Sequence, residues 1–399
     1  MHLNRRTFAT GIASTAGLLA APGAWAQSTP NAIPDATPVS DDLETQLMAV
    51  LEERGVPGAV VAMQTAETSE PTIYELGSAN AETNEPVSAD MHFRIGSVTK
   101  PFVATVVLQL VEEEHLSLDD TIADVYPNLN VANTDIITIR HLLTMRSGLP
   151  QVTDSPEEIV GILREPTTEV TFDDIVDIVT SMPARFKPDE KWEYNNLNFQ
   201  ILGEIINLVT GETWDANVDT RILQPLGLTN TLMTDVPEMP TPFAHGYGYD
   251  GESPMVFPDT TTATEVTASG DASPVAKPEL VDVTLFNPTI AGAAGGMIST
   301  VTDQLIWAQN LAMGTLLSPE MHAAQIDGRS IGNDNPMEYG LGVMGHDGMI
   351  GHYGDVNGYQ AGVMAAPDGS LSIAIASNAM PALGDAKTTM ELMAAILDQ

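Results

Sequence analysis

The stretch HFRIGSVTKPFVATVVLQLVEE, residues 92–113, governs how the rest of this chain is read. Phe93-Arg94-Ile95-Gly96 leads into Ser97, and Phe102–Leu110 has the apolar make-up of a buried helix body. Ser97 and Lys100 lie three residues apart, so on a helix they share one face and the amine reaches the hydroxyl. A serine hydroxyl near its free pKa is a poor nucleophile and needs a base beside it. A lysine shielded from water can lose its proton and serve as that base. The plainer reading makes Ser97 a helix N-cap and leaves Lys100 solvated. No other lysine of the chain has a serine three places before it.

Two further motifs lie downstream. Tyr194-Asn195-Asn196 stands in KWEYNNLNFQILGEII, where a strong amphipathic helix pattern over Phe199–Val209 is closed by Thr210-Gly211. A phenol next to a lysine can give or take a proton, and the Asn196 carboxamide can orient both lysine and substrate. The alternatives are a loop tyrosine and a helix-capping asparagine; Tyr126-Pro127-Asn128 fits the same pattern but sits in a turn. Nearer the C-terminus comes His352-Tyr353-Gly354, followed by Asp355. A histidine here can hold positive charge near a substrate, and Gly354 lets a strand approach closely enough for the next backbone N–H to join an oxyanion hole. The alternative is a surface histidine in a glycine-rich hairpin, and His346-Asp347-Gly348 is a competing match.

Composition narrows the function. The 399 residues carry 54 Asp and Glu against 15 Lys and Arg, a net charge of −39, with no cysteine. Nucleic acid is disfavoured as a partner, because phosphate backbones are bound by clustered basic residues, and anionic membranes are disfavoured likewise. Without thiols, covalent chemistry must use oxygen or nitrogen nucleophiles. Residues 1–26 read as a twin-arginine export signal: Asn4-Arg5-Arg6-Thr7-Phe8, a short apolar run broken by Gly11 and Gly17, and the cleavage pattern Ala24-Trp25-Ala26. That run is too short to span a bilayer, so the mature chain is expected to be periplasmic or extracellular without stable membrane insertion. Residues 27–40 form a Pro, Thr and Ser linker, and residues 250–280 a polar insertion. Asp41–Glu53 has helical periodicity and Gly58–Gln64 reads as a buried strand. Gly340–Met344, Tyr359–Ala365 and Leu371–Ser377 read as antiparallel strands, and a last helix covers about 385–397. The expected architecture is α+β: an antiparallel sheet flanked by helices, from residues 41–96 and 281–399, with a mainly helical domain at 97–280 inserted.

S-x-x-K, then Y-x-N, then H-x-G, in this order, resembles the penicillin-recognising serine hydrolases. Within them the chain is most similar to soluble secreted D-alanyl-D-alanine carboxypeptidases, class C β-lactamases and related esterases. The blocks ITIRHLLTMRSGLP, ILQPLGLTNT, AGAAGGMISTVTDQ and YGLGV extend the likeness over nearly all of residues 41–399. The resemblance implies a β-lactamase/DD-peptidase-like fold, with Ser97 acylated and Lys100 and Tyr194 sharing the proton traffic. It implies that Asn196 orients the substrate amide, His352 stands where a lysine is usual, and the N–H groups of Ser97 and Asp355 form the oxyanion hole. Tyr353 and Gly354 then fall in the substrate-binding segment. The reaction would be acyl transfer on a small-molecule or peptide substrate, with no metal or organic cofactor.

One departure bears on the substrate. Relatives that bind a peptide's terminal carboxylate have hydroxyl residues in H-T-G-T and an arginine a little upstream. Here those hydroxyl places hold Tyr353 and Asp355, and GLGVMGHDGMIGHYG contains no arginine. Like-charge repulsion from Asp355 predicts weak carboxypeptidase activity and better turnover of esters, or of amides with an amino group facing Asp355. Two other readings stay open: a non-hydrolytic binder of cell-wall peptides or β-lactams that keeps the fold, and an α/β-hydrolase esterase, for which no G-x-S-x-G is present.

Overall fold

Alternation of buried residues builds the sheet. The computed structural model describes residues 41–155, 162, 164–249, 280–332, 336–380 and 387–398. The signal, the linker and the polar insertion, apart from Leu280, lie outside the described residues. The strands are β1 (Gly58–Thr65), β2 (Thr72–Asn80), β3 (Glu85–Pro86), β4 (Phe93–Arg94), β5 (Tyr247–Tyr249), β6 (Leu280–Asp282) and β7 (Ile298–Ser299). They continue with β8 (Arg329–Ser330), β9 (Glu338–Tyr339), β10 (Met344–His346), β11 (Met349–Val356), β12 (Tyr359–Ala365) and β13 (Leu371–Ser377). Among the described residues, nine of these form one sheet in the order β3-β2-β1-β13-β12-β11-β10-β9-β8. Neighbouring strands in it run antiparallel, with Val60 opposite Ala376 and Asp355 opposite Gln360. Helices and antiparallel sheet together give the expected α+β fold.

Side chains two apart on a strand share a face, and this sheet is covered on both. Ala59, Val61, Ile373 and Ile375 pack beneath α1 (Asp41–Arg54) and the C-terminal helix, through Leu43, Leu47, Leu392 and Met393. An Arg54–Glu391 ion pair ties these two helices together. Val60, Ala62, Val363 and Ala374 face the other way, into the larger core. That core also contains α2 (Thr99–Glu112), α3 (Asn196–Thr210) and α4 (Val301–Met313), so sheet and helical segment share one apolar interior. Phe102 of α2 stacks on Trp307 of α4, ring centroids 3.9 Å apart. A helix apolar all round is a core helix, and α2 is buried from Thr99 through Leu108. Lys100 is therefore carried into the interior by its neighbours.

Two local expectations are corrected. Gly340–Val343 is a turn between β9 and β10, closed by the Gly340 N–H donating to Val343 O at 2.9 Å. Leu341 and Gly342 donate to Gln325 and Leu143 carbonyls, so the apolar alternation there records burial of Leu341 and Val343 and not strand pairing. Asn196 is the first residue of α3 and not its cap: the Asn195 side chain accepts from the Leu197 N–H at 2.9 Å and donates to Leu149 and Pro150 carbonyls.

Candidate active site

Ser97 sits in a single 3-10 turn, Gly96–Val98, that runs directly into α2, and its hydroxyl caps no backbone N–H. Two glycines allow β11 to press against this turn. A Cβ on Gly354 would lie 2.0 Å from Ile95 O and 2.8 Å from Ser97 N. Gly96, at φ +50°, would put one 2.8 Å from Asp355 N. Backbone N–H groups of the turn and of the strand are thereby held side by side, as the expected oxyanion hole needs. Gly354→Ala is expected to cut turnover at least about 100-fold by forcing the strand away, at a cost of about 1–3 kcal/mol in unfolding free energy. Urea denaturation and kcat/KM on one ester measure the two, and near-normal turnover would show that this close approach is dispensable.

Lys100 completes the turn's chemistry. Its side chain is 0 % exposed, and Nζ lies 2.8 Å from Ser97 Oγ, 2.7 Å from Asn196 Oδ1 and 2.6 Å from Ala294 O. Desolvation holds its pKa well below the usual lysine range, and among the described residues no carboxylate is paired with it. A neutral amine has two N–H donors and one lone pair. Ala294 O and Asn196 Oδ1 can only accept, so they take the two donors and leave the lone pair for the Ser97 hydroxyl. When neutral, Lys100 would thus turn its lone pair to the Ser97 hydroxyl, the geometry a general base needs.

Tyr194 stands over the same pair: its hydroxyl is hydrogen-bonded to Ser97, and Lys100 Nζ lies 4.8 Å from its ring centroid. Burial, its largest influence, pushes the phenol's pKa up; the Ser97 bond opposes this and the Asp355 charge adds to it. Tyr194 therefore rests protonated. Trp192, Tyr339 and His352 surround its ring at centroid distances of 6.4, 6.5 and 6.2 Å.

The third motif differs from expectation in two ways. His352 is 0 % exposed, and burial is the main cause that lowers its pKa to about 3; Lys100, whenever it is protonated, lowers it further. Burial thus disfavours the positive charge expected of it at neutral pH. Tyr353 faces the opposite side of the sheet, in the core under the C-terminal helix with Met364 and Leu392. Tyr353 is packed in that core and does not line the cleft. Asp355 is half-buried at the cleft wall, where Gln360 Nε2 donates to its Oδ1 at 2.7 Å. Both competing matches are elsewhere: His346-Asp347-Gly348 forms the β10–β11 turn, and Tyr126 packs on Phe172.

A cleft opens above Ser97. Val152, Ile175, Leu197, Ile290 and Val356 give it apolar walls, with Gln151, Asn196 and Gln200 as polar points. Among the described residues, Asp355 is the one charged residue lining it, and neither lysine nor arginine does. Sequence reasoning assigned no role to Ala294, Trp192 or Tyr339, although AGAAGGM and YGLGV had been marked as blocks.

A beta-lactamase family model matches residues 41–398, and the chain belongs to that family. The resemblance to penicillin-recognising serine hydrolases is thereby borne out. The chain is 32 % identical over 205 residues to esterase EstB of Burkholderia gladioli, covering 49 % of this chain and 51 % of the relative. It is 31 % identical over 189 residues to penicillin-binding protein 4 of Amycolatopsis lactamdurans, 46 % of each. The chain thus spans about half the length of these curated relatives. Among solved structures, a D-stereospecific amidohydrolase from Streptomyces sp. matches with a TM-score of 0.73 and 27 % identity, over 89 % of this chain and 98 % of that one.

No helix among the described residues is long and apolar enough to cross a membrane.

Proposed function

We propose that this protein is an exported serine hydrolase that cleaves esters and amides through an acyl-enzyme on Ser97. The observation that carries this reading is the enclosed amine of Lys100, 2.8 Å from the Ser97 hydroxyl at the foot of an open cleft. Lys100 Nζ takes the Ser97 proton as Oγ attacks the carbonyl carbon, and the carbonyl π electrons move onto oxygen under the N–H groups of Ser97 and Asp355. Tyr194, protonated at rest, passes a proton to the leaving nitrogen or oxygen as the C–N or C–O bond breaks, and takes one back from the Lys100 ammonium, which returns to the neutral amine. Asn196 orients Lys100 and the substrate amide. Water then repeats the attack, releases the acid and restores Ser97. Export rests on the twin-arginine pattern of residues 1–26.

The cleft's charge selects the substrate. With Asp355 on the wall and no cation opposite, a terminal carboxylate meets repulsion, whereas an α-ammonium or a neutral ester does not. The likeness to an esterase and to a D-stereospecific amidohydrolase supports the same choice, ahead of a D-alanyl-D-alanine carboxypeptidase or a class C-like β-lactamase. Three probes test it: a p-nitrophenyl ester, D-phenylalanine amide and an acylated D-alanyl-D-alanine peptide. The peptide is expected to be at least about tenfold poorer in kcat/KM than the amide. Asp355→Asn, which keeps the backbone N–H, should narrow that ratio. Peptide turnover equal to the amide's would refute the selection. Binding of all three without hydrolysis would favour a non-hydrolytic binder.

A further inference from the structure

Behind Tyr194, two hydrogen bonds of His352 fix a proton position that the sequence left open. His352 Nδ1 lies against the Tyr353 carbonyl, which can only accept, so Nδ1 carries the hydrogen. In the neutral ring Nε2 is then an acceptor. The atom facing it is Tyr339 Oη at 3.2 Å, on a side chain 1 % exposed, so Tyr339 donates. The two rings meet edge to face, at 5.8 Å and 88°, and both wall the ring of Tyr194.

We propose that Tyr339 is a positioning residue: its hydroxyl locks His352 as the neutral Nδ1–H tautomer and so keeps a second cation away from Lys100. This rests on the acyl-enzyme reading of Ser97. During turnover Lys100 must accept a proton with no carboxylate among the described residues hydrogen-bonded to it, and a protonated His352 nearby would oppose that step. The groups facing His352 are Lys100 from α2, Tyr194 from the segment before α3 and Tyr339 from β9; Asp355 follows on its own strand. A hydrogen bond donated to Nε2 stabilises the neutral ring, so removing it raises the histidine's affinity for protons.

The test uses the full-length mature protein labelled with ¹⁵N-histidine. In the wild type, the His352 resonances are expected to report the neutral Nδ1–H tautomer throughout pH 5–9. An Nε2–H tautomer, or protonation inside that range, would overturn the proposal whether or not the protein hydrolyses anything. Tyr339→Phe is then expected to lower kcat on a neutral ester about tenfold with KM within threefold, and to move the acid limb of the kcat/KM profile to higher pH by at least half a unit. Loss of activity by the same factor at every pH would mean that Tyr339 only fills space, and would sink the lock. Should Tyr339→Phe fail to fold, the wild-type tautomer alone decides. Failure of the acyl-enzyme reading shows separately, as unchanged activity in a Ser97→Ala protein.

Discussion

Ser97→Ala is expected to lower hydrolysis of a neutral ester by at least about 10⁴-fold and to leave the urea unfolding midpoint almost unchanged. The activity loss follows because, among the described residues, Ser97 is the hydroxyl joined to both Lys100 and Tyr194. Stability is spared because Ser97 caps no helix N–H, and because Lys100 keeps Asn196 Oδ1 and Ala294 O as acceptors when Oγ is removed. One lost hydrogen bond is worth about 1 kcal/mol. Intact-mass measurement during turnover of a slow ester or a penicillin adds a direct view: the wild type should gain an acyl group that the variant never shows. Undiminished activity in Ser97→Ala would remove the serine from the mechanism altogether.

Lys100→Met separates chemistry from stability in the opposite sense. Turnover is expected to fall about 10³-fold, the range set by loss of a positioned base, yet the protein should resist urea at least as well as the wild type near pH 7. An amine sealed from water with no carboxylate beside it is a burden on the fold, and methionine fills similar space without one. The sign of the linkage gives a stricter check. Because the folded-state pKa of Lys100 lies below its unfolded value of about 10.4, the unfolded chain binds one more proton in that interval. The wild type therefore gains stability as pH rises through it, by up to about 1.4 kcal/mol per pH unit. The variant lacks this gain, so its advantage should shrink on going from pH 7 to pH 10. A constant gap would mean that Lys100 keeps its proton when folded.

How far the sequence led depends on which property each residue expressed. Tyr359–Ala365 and Leu371–Ser377 were bounded correctly, because continuous apolar runs between turns report burial on both faces of a sheet. The contact between Ser97 and Lys100 was legible because three-residue spacing on a helix is local geometry. Thr72–Asn80, which carries a glutamate and a glycine, was missed: β2 lies near the sheet's edge, where one face need not be apolar. Tyr353 and His352 went astray for different reasons. Reading H-x-G as three neighbours ignored the two-residue repeat of a strand, which turns Tyr353 to the far side. The charge expected at His352 was inferred from residue type, whereas its surroundings come from Tyr339, Tyr194 and Lys100, none of them adjacent in the chain. Ala294 was invisible as a functional group because only its backbone oxygen takes part.

The acceptors that enclose Lys100 come from positions 96 and 194 residues further along the chain. Until those distant segments have closed around it, the amine is an ordinary solvated ammonium and Ser97 an ordinary alcohol. The growing polypeptide is therefore chemically silent, and helix α2 can form early without conferring any capacity to attack an acyl group. Reactivity emerges only with the last long-range closure, so on refolding it should return after secondary structure has done so. The chain is its own safety catch: a partly made or proteolytically opened molecule would carry the nucleophile but not the means to arm it.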